Sequence, residues 1–202
     1  DSPTRYRIGN RLQRLALVGQ TDADVALAAG PALKETAVSL GEAVFLSRFR
    51  DRHVEIIHVE TPDDVARSFV HPGLGKRPLH ACSCSKAIAA FSDEGFQREI
   101  LEGPLRAYTD QTKTDADAVA AEFDAIRSSG FAECLQEIEV GVSSVAAPIR
   151  HGAHGILMSV GATGPIRRFT AERRLAVGEE LGRVATKIAN NLRLIQPNRT
   201  AA

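Results

Sequence analysis

The sequence has no Trp, one Met and only 5% aromatic residues, and no apolar stretch in its 202 residues approaches the roughly 18 to 20 needed to span a bilayer. It has no excess of either charge, with 25 Lys and Arg against 25 Asp and Glu. A free-standing nucleic-acid binder normally carries a clear basic surplus, so this chain is not expected to touch DNA itself. Cysteine is scarce and odd in number: three, with Cys82 and Cys84 two apart, which suits free thiols in a reducing compartment better than a secreted disulfide framework. The first residues, DSPTRYRIGNR, lack the apolar stretch of a signal peptide, so a cytoplasmic location with no membrane association is expected. What remains, 44% hydrophobic and 25% charged, is the composition of an ordinary globular protein: one large domain, or one domain with an appendage.

Periodicity gives the elements. Ile8, Leu12, Leu15 and Leu17 approximate helical spacing behind a cluster of Arg5, Arg7, Arg11 and Arg14 that looks like the trailing edge of something removed. A second helical pattern from about Ala23 to Leu40 meets Gly30 and Pro31, which predicts two segments. Two β-type runs, Ala43 to Phe49 and His53 to Val59, read as an antiparallel hairpin. Thr61 to Pro78 reads as mostly loop, with a short strand candidate around Val65 to Val70. A helix carrying Ala87, Ile88 and Phe91 begins with Ser83 or Ser85 as its cap, and a shorter one follows from Asp93 to Leu101. Thr114 caps a helix whose stripe is Val119, Phe123 and Ile126 and which Gly130 stops. Two strand runs then flank a turn at His151 to Gly155, and Thr170 caps a long final helix from Ala171 to about Leu194, with Leu175, Val177, Leu181, Val184, Ile188 and Leu192 near helical spacing. The order implies an α+β fold: an antiparallel sheet with helices packed on one side and others at the rim.

The densest polar cluster is His80-Ala81-Cys82-Ser83-Cys84-Ser85-Lys86, between a loop and a helix start. A thiolate there could act as a nucleophile with His80 as base, or His80, Cys82 and Cys84 could give soft metal ligands, although the spacing lacks the paired cysteines of structural zinc. Backbone N–H groups at the helix start could instead seat an acid group, and small residues packed under a loop account for the same pattern. A second wall comes from strand alternation, which places Ser159, Gly161 and Thr163 on one face and Val142, Ser144 and Ala146 on its partner's. A face of small and polar residues suits a cavity or a close-packed helix. His151 and His154 read as exposed, Glu133, Glu137 and Glu139 as solvated, and Lys86 as a surface charge. The Gly73 to Lys76 run lacks the spacing of a phosphate loop.

Five strings in register carry a resemblance. Pro78-Leu79-His80-Ala81-Cys82-Ser83-Cys84-Ser85-Lys86-Ala87-Ile88 resembles the "PLHATASGKAIL" segment of IclR-family bacterial transcription regulators. Tyr6-Arg7-Ile8-Gly9 resembles the "YRLG" ending their winged helix-turn-helix, and Leu40-Gly41-Glu42 the "GE" before the first hairpin. Ile126-Arg127 with Gly130-Phe131-Ala132 resembles "IR..GYA", and Ala146-Ala147-Pro148-Ile149 with Gly164-Pro165 resembles "AAPI" and "SGP".

The resemblance implies a GAF-like effector-binding domain over 21–202, with 1–20 a remnant of the winged-domain end and its linker helix, and the DNA-binding head absent from this chain. It implies a small-molecule effector, an organic acid or aromatic compound, no cofactor, operator DNA bound through the missing head, and a homodimer or homotetramer. By the same resemblance, the residues that touch short oxoacids in family members correspond to Ser83, Cys84, Cys134, Ser144, Gly161 and Thr163, with Ser85 where Gly is usual. Cys134 stands in place of a carboxylate, Ser144 in place of a cysteine, and Gly161 and Thr163 in place of serines; the loss of polar side chains at Cys134 and Gly161 implies a larger or less hydrophilic ligand, its acid group held by the N–H groups near Ser83 to Ser85. The rival expectations are a thiol-dependent enzyme on the same scaffold, using Cys82, Cys84 or Cys134, and a structural module with a collapsed pocket.

Overall fold

The computed structural model describes residues 21–64, 70–150 and 156–194. The N-terminal helix and winged-domain remnant expected over 1–20, most of the strand candidate at 65–70 and the turn with His151 and His154 lie outside the described residues. No helix among the described residues is long and apolar enough to cross a membrane.

Helix α1 (Asp22–Leu40) begins at a reciprocal cap: Thr21 Oγ1 accepts from Asp24 N at 3.2 Å, and Thr21 N donates to Asp24 Oδ2 at 3.0 Å. It ends at Gly41, whose φ of 64° lets its N–H turn back to the Ala37 carbonyl. The two segments expected around Pro31 are one continuous helix. Pro31 lies on the solvent side and deprives only Leu27 of a hydrogen-bond donor, where water has access because Leu27 is 79% exposed. On the other side Val25, Ala29, Leu33 and Ala37 are buried, and their packing carries the helix through.

Strands β1 (Ala43–Arg50) and β2 (His53–Glu60) form the expected hairpin, closed by Asp51 and Arg52 at φ values of 49° and 61°. Two left-handed residues match the twist of the flanking strands. The stretch expected as loop contains a three-residue strand, β3 (Gly75–Arg77), on the free edge of β2. Helices α2 (Ser83–Ala89), α3 (Glu94–Glu102) and α4 (Ala116–Ser129) follow. The cap of α2 is Cys82, which makes no side-chain capping bond, rather than Ser83 or Ser85. Asp115, not Thr114, caps α4: it is the extended residue immediately before the helix, and its carboxylate accepts from Ala118 N at 2.9 Å. Strand β4 (Ala132–Leu135) follows, four residues being too short to show a period. The long hairpin β5 (Val142–Arg150) and β6 (Ile156–Pro165) then leads through a single 3-10 turn (Ile166–Arg168) to α5 (Ala171–Leu194), where Thr170 Oγ1 accepts from Arg173 N as expected.

The strands form one antiparallel sheet in the order β3-β2-β1-β6-β5-β4. The α+β class therefore stands, but helices cover both faces rather than one. Val44, Leu46, Val145 and Val160 pack against α1 and α5, while Phe45, Val54 and Ala146 pack against α2, α3 and α4. Central strands apolar on both sides need two covering layers. Within α5, Val177, Leu181, Ile188 and Leu192 face that core; Leu175 does not, being 54% exposed.

All seven residues of α2 are buried, including Lys86. The surface role expected for Lys86 and the solvation expected for Glu137 are both overturned. Lys86 Nζ is 2.7 Å from Glu137 Oε1 and 2.8 Å from Glu122 Oε1, and Lys113 reaches the same Glu122 oxygen at 3.1 Å. Thr112 Oγ1 donates to the Glu137 carbonyl at 2.6 Å, so one cluster ties α2, α4, the 103–115 loop and the β4–β5 connection together. Of the other two acids, Glu133 pairs with Arg174 and Glu139 is exposed.

Burial alone would lower the Lys86 pKa, but the Glu122 and Glu137 carboxylates outweigh it and hold the group above its ordinary 10.5. A lysine with a raised folded pKa contributes stability that is complete below its unfolded pKa and is lost as pH rises through the folded value. The difference in unfolding free energy between wild type and Lys86→Met should therefore be flat at neutral pH and shrink in the alkaline range above 10.5. An unchanged difference there would show that Lys86 is not held charged. In urea at neutral pH, Lys86→Met should cost about 3–5 kcal/mol, because it strands a buried carboxylate. Lys86→Met combined with Glu137→Leu should recover much of that loss, and a strictly additive pair would refute the coupling.

Candidate functional site

Small side chains let α2 lie directly on the sheet. Ser83 Oγ is 2.7 Å from Ser144 Oγ on β5, and Ser159 Oγ donates to the Cys84 carbonyl at 3.2 Å while meeting Ser47 Oγ at 2.6 Å. These bonds satisfy the buried hydroxyls and fix the height of α2 above the strands. Beyond the end of that contact, the sheet, Cys82, the 70–73 segment and the β4–β5 connection border a cavity of about 150 Å³ that opens to the surface.

The cavity divides by chemistry. Phe45, Ile56, Ile138 and Val142 give it apolar surface. Cys134, Ser144 and Thr163 line it from three adjacent strands, in the direct register Cys134↔Ser144↔Thr163. Thr163 Oγ1 donates to the Ser143 carbonyl at 3.0 Å, leaving its lone pairs free to accept. Arg77, Ser143 and the exposed His71 and Glu139 complete the polar part.

Of the seven residues singled out from the sequence, Cys134, Ser144 and Thr163 therefore meet at one cavity. Ser83, Cys84 and Ser85 are sealed between α2 and the sheet, behind the lining. Gly161 lies beneath the Phe45 ring: the two are paired across β1 and β6, and a Cβ on Gly161 would overlap that ring and come within 2.9 Å of the Val145 carbonyl oxygen. The small-residue face thus serves both purposes considered for it, close packing at Ser159 and Gly161 and cavity lining at Ser144 and Thr163. Phe45, Ile56 and Arg77 were missed by sequence reasoning. A signal for Phe45 was present, an aromatic residue opposite a glycine across two strands, but it appears only once the strand register is known.

The thiols fit a wall better than a reagent. Burial drives the Cys134 thiol up to about 12. Cys82 Sγ lies 3.4 Å from Cys84 Sγ, and hydrogen bonding to Cys84 together with burial raises Cys82 well above its ordinary value. That same contact, with the hydroxyls of Ser85 and Ser47, lowers Cys84, which is fully enclosed and offers its sulfur to no substrate. His80 is buried, its Nε2 3.0 Å from the Arg106 carbonyl; burial first, then the charge of Lys86, lowers its pKa. The described residues contain no group of three side chains placed to hold a metal ion.

The fold has known counterparts. Residues 20–190 match the family model described as "Bacterial transcriptional regulator IclR C-terminal". The glycerol operon regulatory protein of Streptomyces coelicolor is 34% identical over 179 residues, covering 87% of this chain and 68% of that protein. Its counterpart in Streptomyces griseus is 38% identical over 169 residues, covering 82% and 64%. The chain thus spans about two thirds of the length of these relatives. The crystal structure of an IclR homologue from Microbacterium hydrocarbonoxydans complexed with 4-hydroxybenzoate superposes with a TM-score of 0.76 at 23% identity, over 93% of this chain and 75% of that one, a likeness of fold. With the family model spanning the sheet, both helical layers and the cavity on the α2 face, this chain belongs to the IclR family of bacterial transcriptional regulators and is its C-terminal, effector-binding domain.

Proposed function

We propose that the cavity at the α2 face of the sheet is the effector site, that it takes a small organic acid or aromatic metabolite, and that occupancy modulates operator binding by a winged helix-turn-helix head outside this chain. The observation that carries the reading is the convergence of Cys134, Ser144 and Thr163 on one partly apolar cavity of about 150 Å³. An engineered apolar cavity of about that volume holds benzene. The glycerol operons named for the Streptomyces relatives and the 4-hydroxybenzoate bound by the Microbacterium homologue suggest ligands between a three-carbon metabolite and a single aromatic ring. Both sizes suit this volume.

The domain works in the cytoplasm as part of a homodimer or homotetramer that also brings the paired heads together. An effector alters DNA binding only through a difference in its affinity for two arrangements of those heads, one matching the operator half-sites and one not. No cofactor takes part. No observation favours the thiol enzyme, and the relatives are transcriptional regulators.

Thermal unfolding against small aliphatic and aromatic acids tests the site. A true effector at about 100 times its Kd should add about 2.7 kcal/mol. Val142→Phe, which fills the cavity from a half-buried position, should abolish that shift without lowering the unliganded transition by more than a few degrees. A shift that survives in Val142→Phe would place the ligand elsewhere.

A further inference from the structure

Arg77 enters the cavity from the last position of β3, where pairing with Val54 sets its side chain on the α2 face. One terminal nitrogen donates to the Gly73 carbonyl, which fixes the guanidinium across the 73–77 turn. Its Nε is buried and has no hydrogen-bond partner, and no carboxylate among the described residues pairs with the group. A half-buried guanidinium in that condition is a site short of an acceptor, since burying a donor unsatisfied is costly and an ionised acceptor makes the strongest bond to it. Across the cavity, Ser144 and Thr163 offer hydroxyl oxygens, and Phe45 and Ile56 provide apolar surface between the two polar ends. At the rim stand the exposed His71 and Glu139, and the Glu139 carboxylate repels a second negative charge on a ligand.

We propose that Arg77 reads the charge of the effector: it pairs with a single carboxylate at one end of a small ligand, whose apolar body lies over Phe45 and whose far end carries a hydroxyl or carbonyl toward Ser144 and Thr163. This rests on the cavity being the effector site. It places the acid group at β3, away from the sealed N–H groups of Ser83 to Ser85, and makes a specificity determinant of a residue just before the Pro78-Leu79-His80 string.

Calorimetric titration of this chain with three probes of one size tests it: 4-hydroxybenzoate, its neutral amide 4-hydroxybenzamide, and phenyl phosphate as the more highly charged acid. Wild type should bind the benzoate at least about tenfold more tightly than the amide, the weight of one charge-assisted pair, and more tightly than the phosphate. Arg77→Gln should bring benzoate and amide to equal affinity, and Arg77→Lys, which keeps the charge, should retain a preference for the acid and guards against a folding defect in the first variant. Equal binding of acid and amide by wild type, a preference for acid that persists in Arg77→Gln, tighter binding of the phosphate, or no binding of any probe at millimolar concentration overturns the proposal. The cavity is tested separately. Benzoate binding lost in Val142→Phe but unaltered in Arg77→Gln removes Arg77 and leaves the cavity as the site, whereas benzoate binding intact in Val142→Phe removes the cavity and this proposal with it.

Discussion

The structure turns on a charge placed where charge is expensive. Lys86 lies in the middle of a seven-residue helix pressed flat on a β-sheet, with no access to water, and it remains there because two carboxylates from distant parts of the chain come to it. Helix α2 is too short to be stable alone, and it lacks a side-chain cap at its start. What holds it is tertiary: serine hydroxyls bonded to the sheet below, and the Lys86 ammonium bonded to Glu122 and Glu137 on its other flank. The Glu137 partner matters most for the site, because Ile138 and Glu139, the next two residues, line the cavity. A buried ion pair contributes little net stability compared with a well-packed apolar substitute, but it tolerates few alternative arrangements. Here it sets the position of one cavity wall relative to α2.

Much of the architecture can be read in the sequence because it is locally encoded. The β1–β2 hairpin, the stripe of Val119, Phe123 and Ile126, the Gly130 stop and the Thr170 cap each depend on residues a few positions apart, and each appears where expected. Strands β3 and β4, at three and four residues, are shorter than any pattern that could identify them. Pro31 misleads for a related reason: its local preference is real, but buried neighbours on the opposite side of α1 override it.

The candidate site was half legible. Ser144 and Thr163 emerge from strand alternation, and Cys134 from family resemblance, since nothing around it marks it as lining a cavity. The Lys86 cluster was misjudged because its partners lie 36 and 51 positions away, and an isolated lysine or glutamate in a sequence is, by frequency, a surface residue. Arg77 was missed because a lone arginine in a loop-like stretch carries no pattern; what sets it apart is a buried Nε with no acceptor and, among the described residues, no carboxylate paired with the group, and that is a property of three dimensions.

Phe45 and Gly161 occupy one volume between them, the ring of one filling the space the other leaves by having no side chain. Neither position can therefore drift by itself. A larger residue at 161 requires a smaller one at 45 and also a small retreat of the Val145 carbonyl, so the exchange would trade a flat aromatic floor for a narrower one at the cost of a local backbone adjustment. Among descendants of this sequence, the shape of the cavity floor would then change in steps, by coordinated replacement at two positions 116 residues apart, and the two columns of a family alignment should vary together.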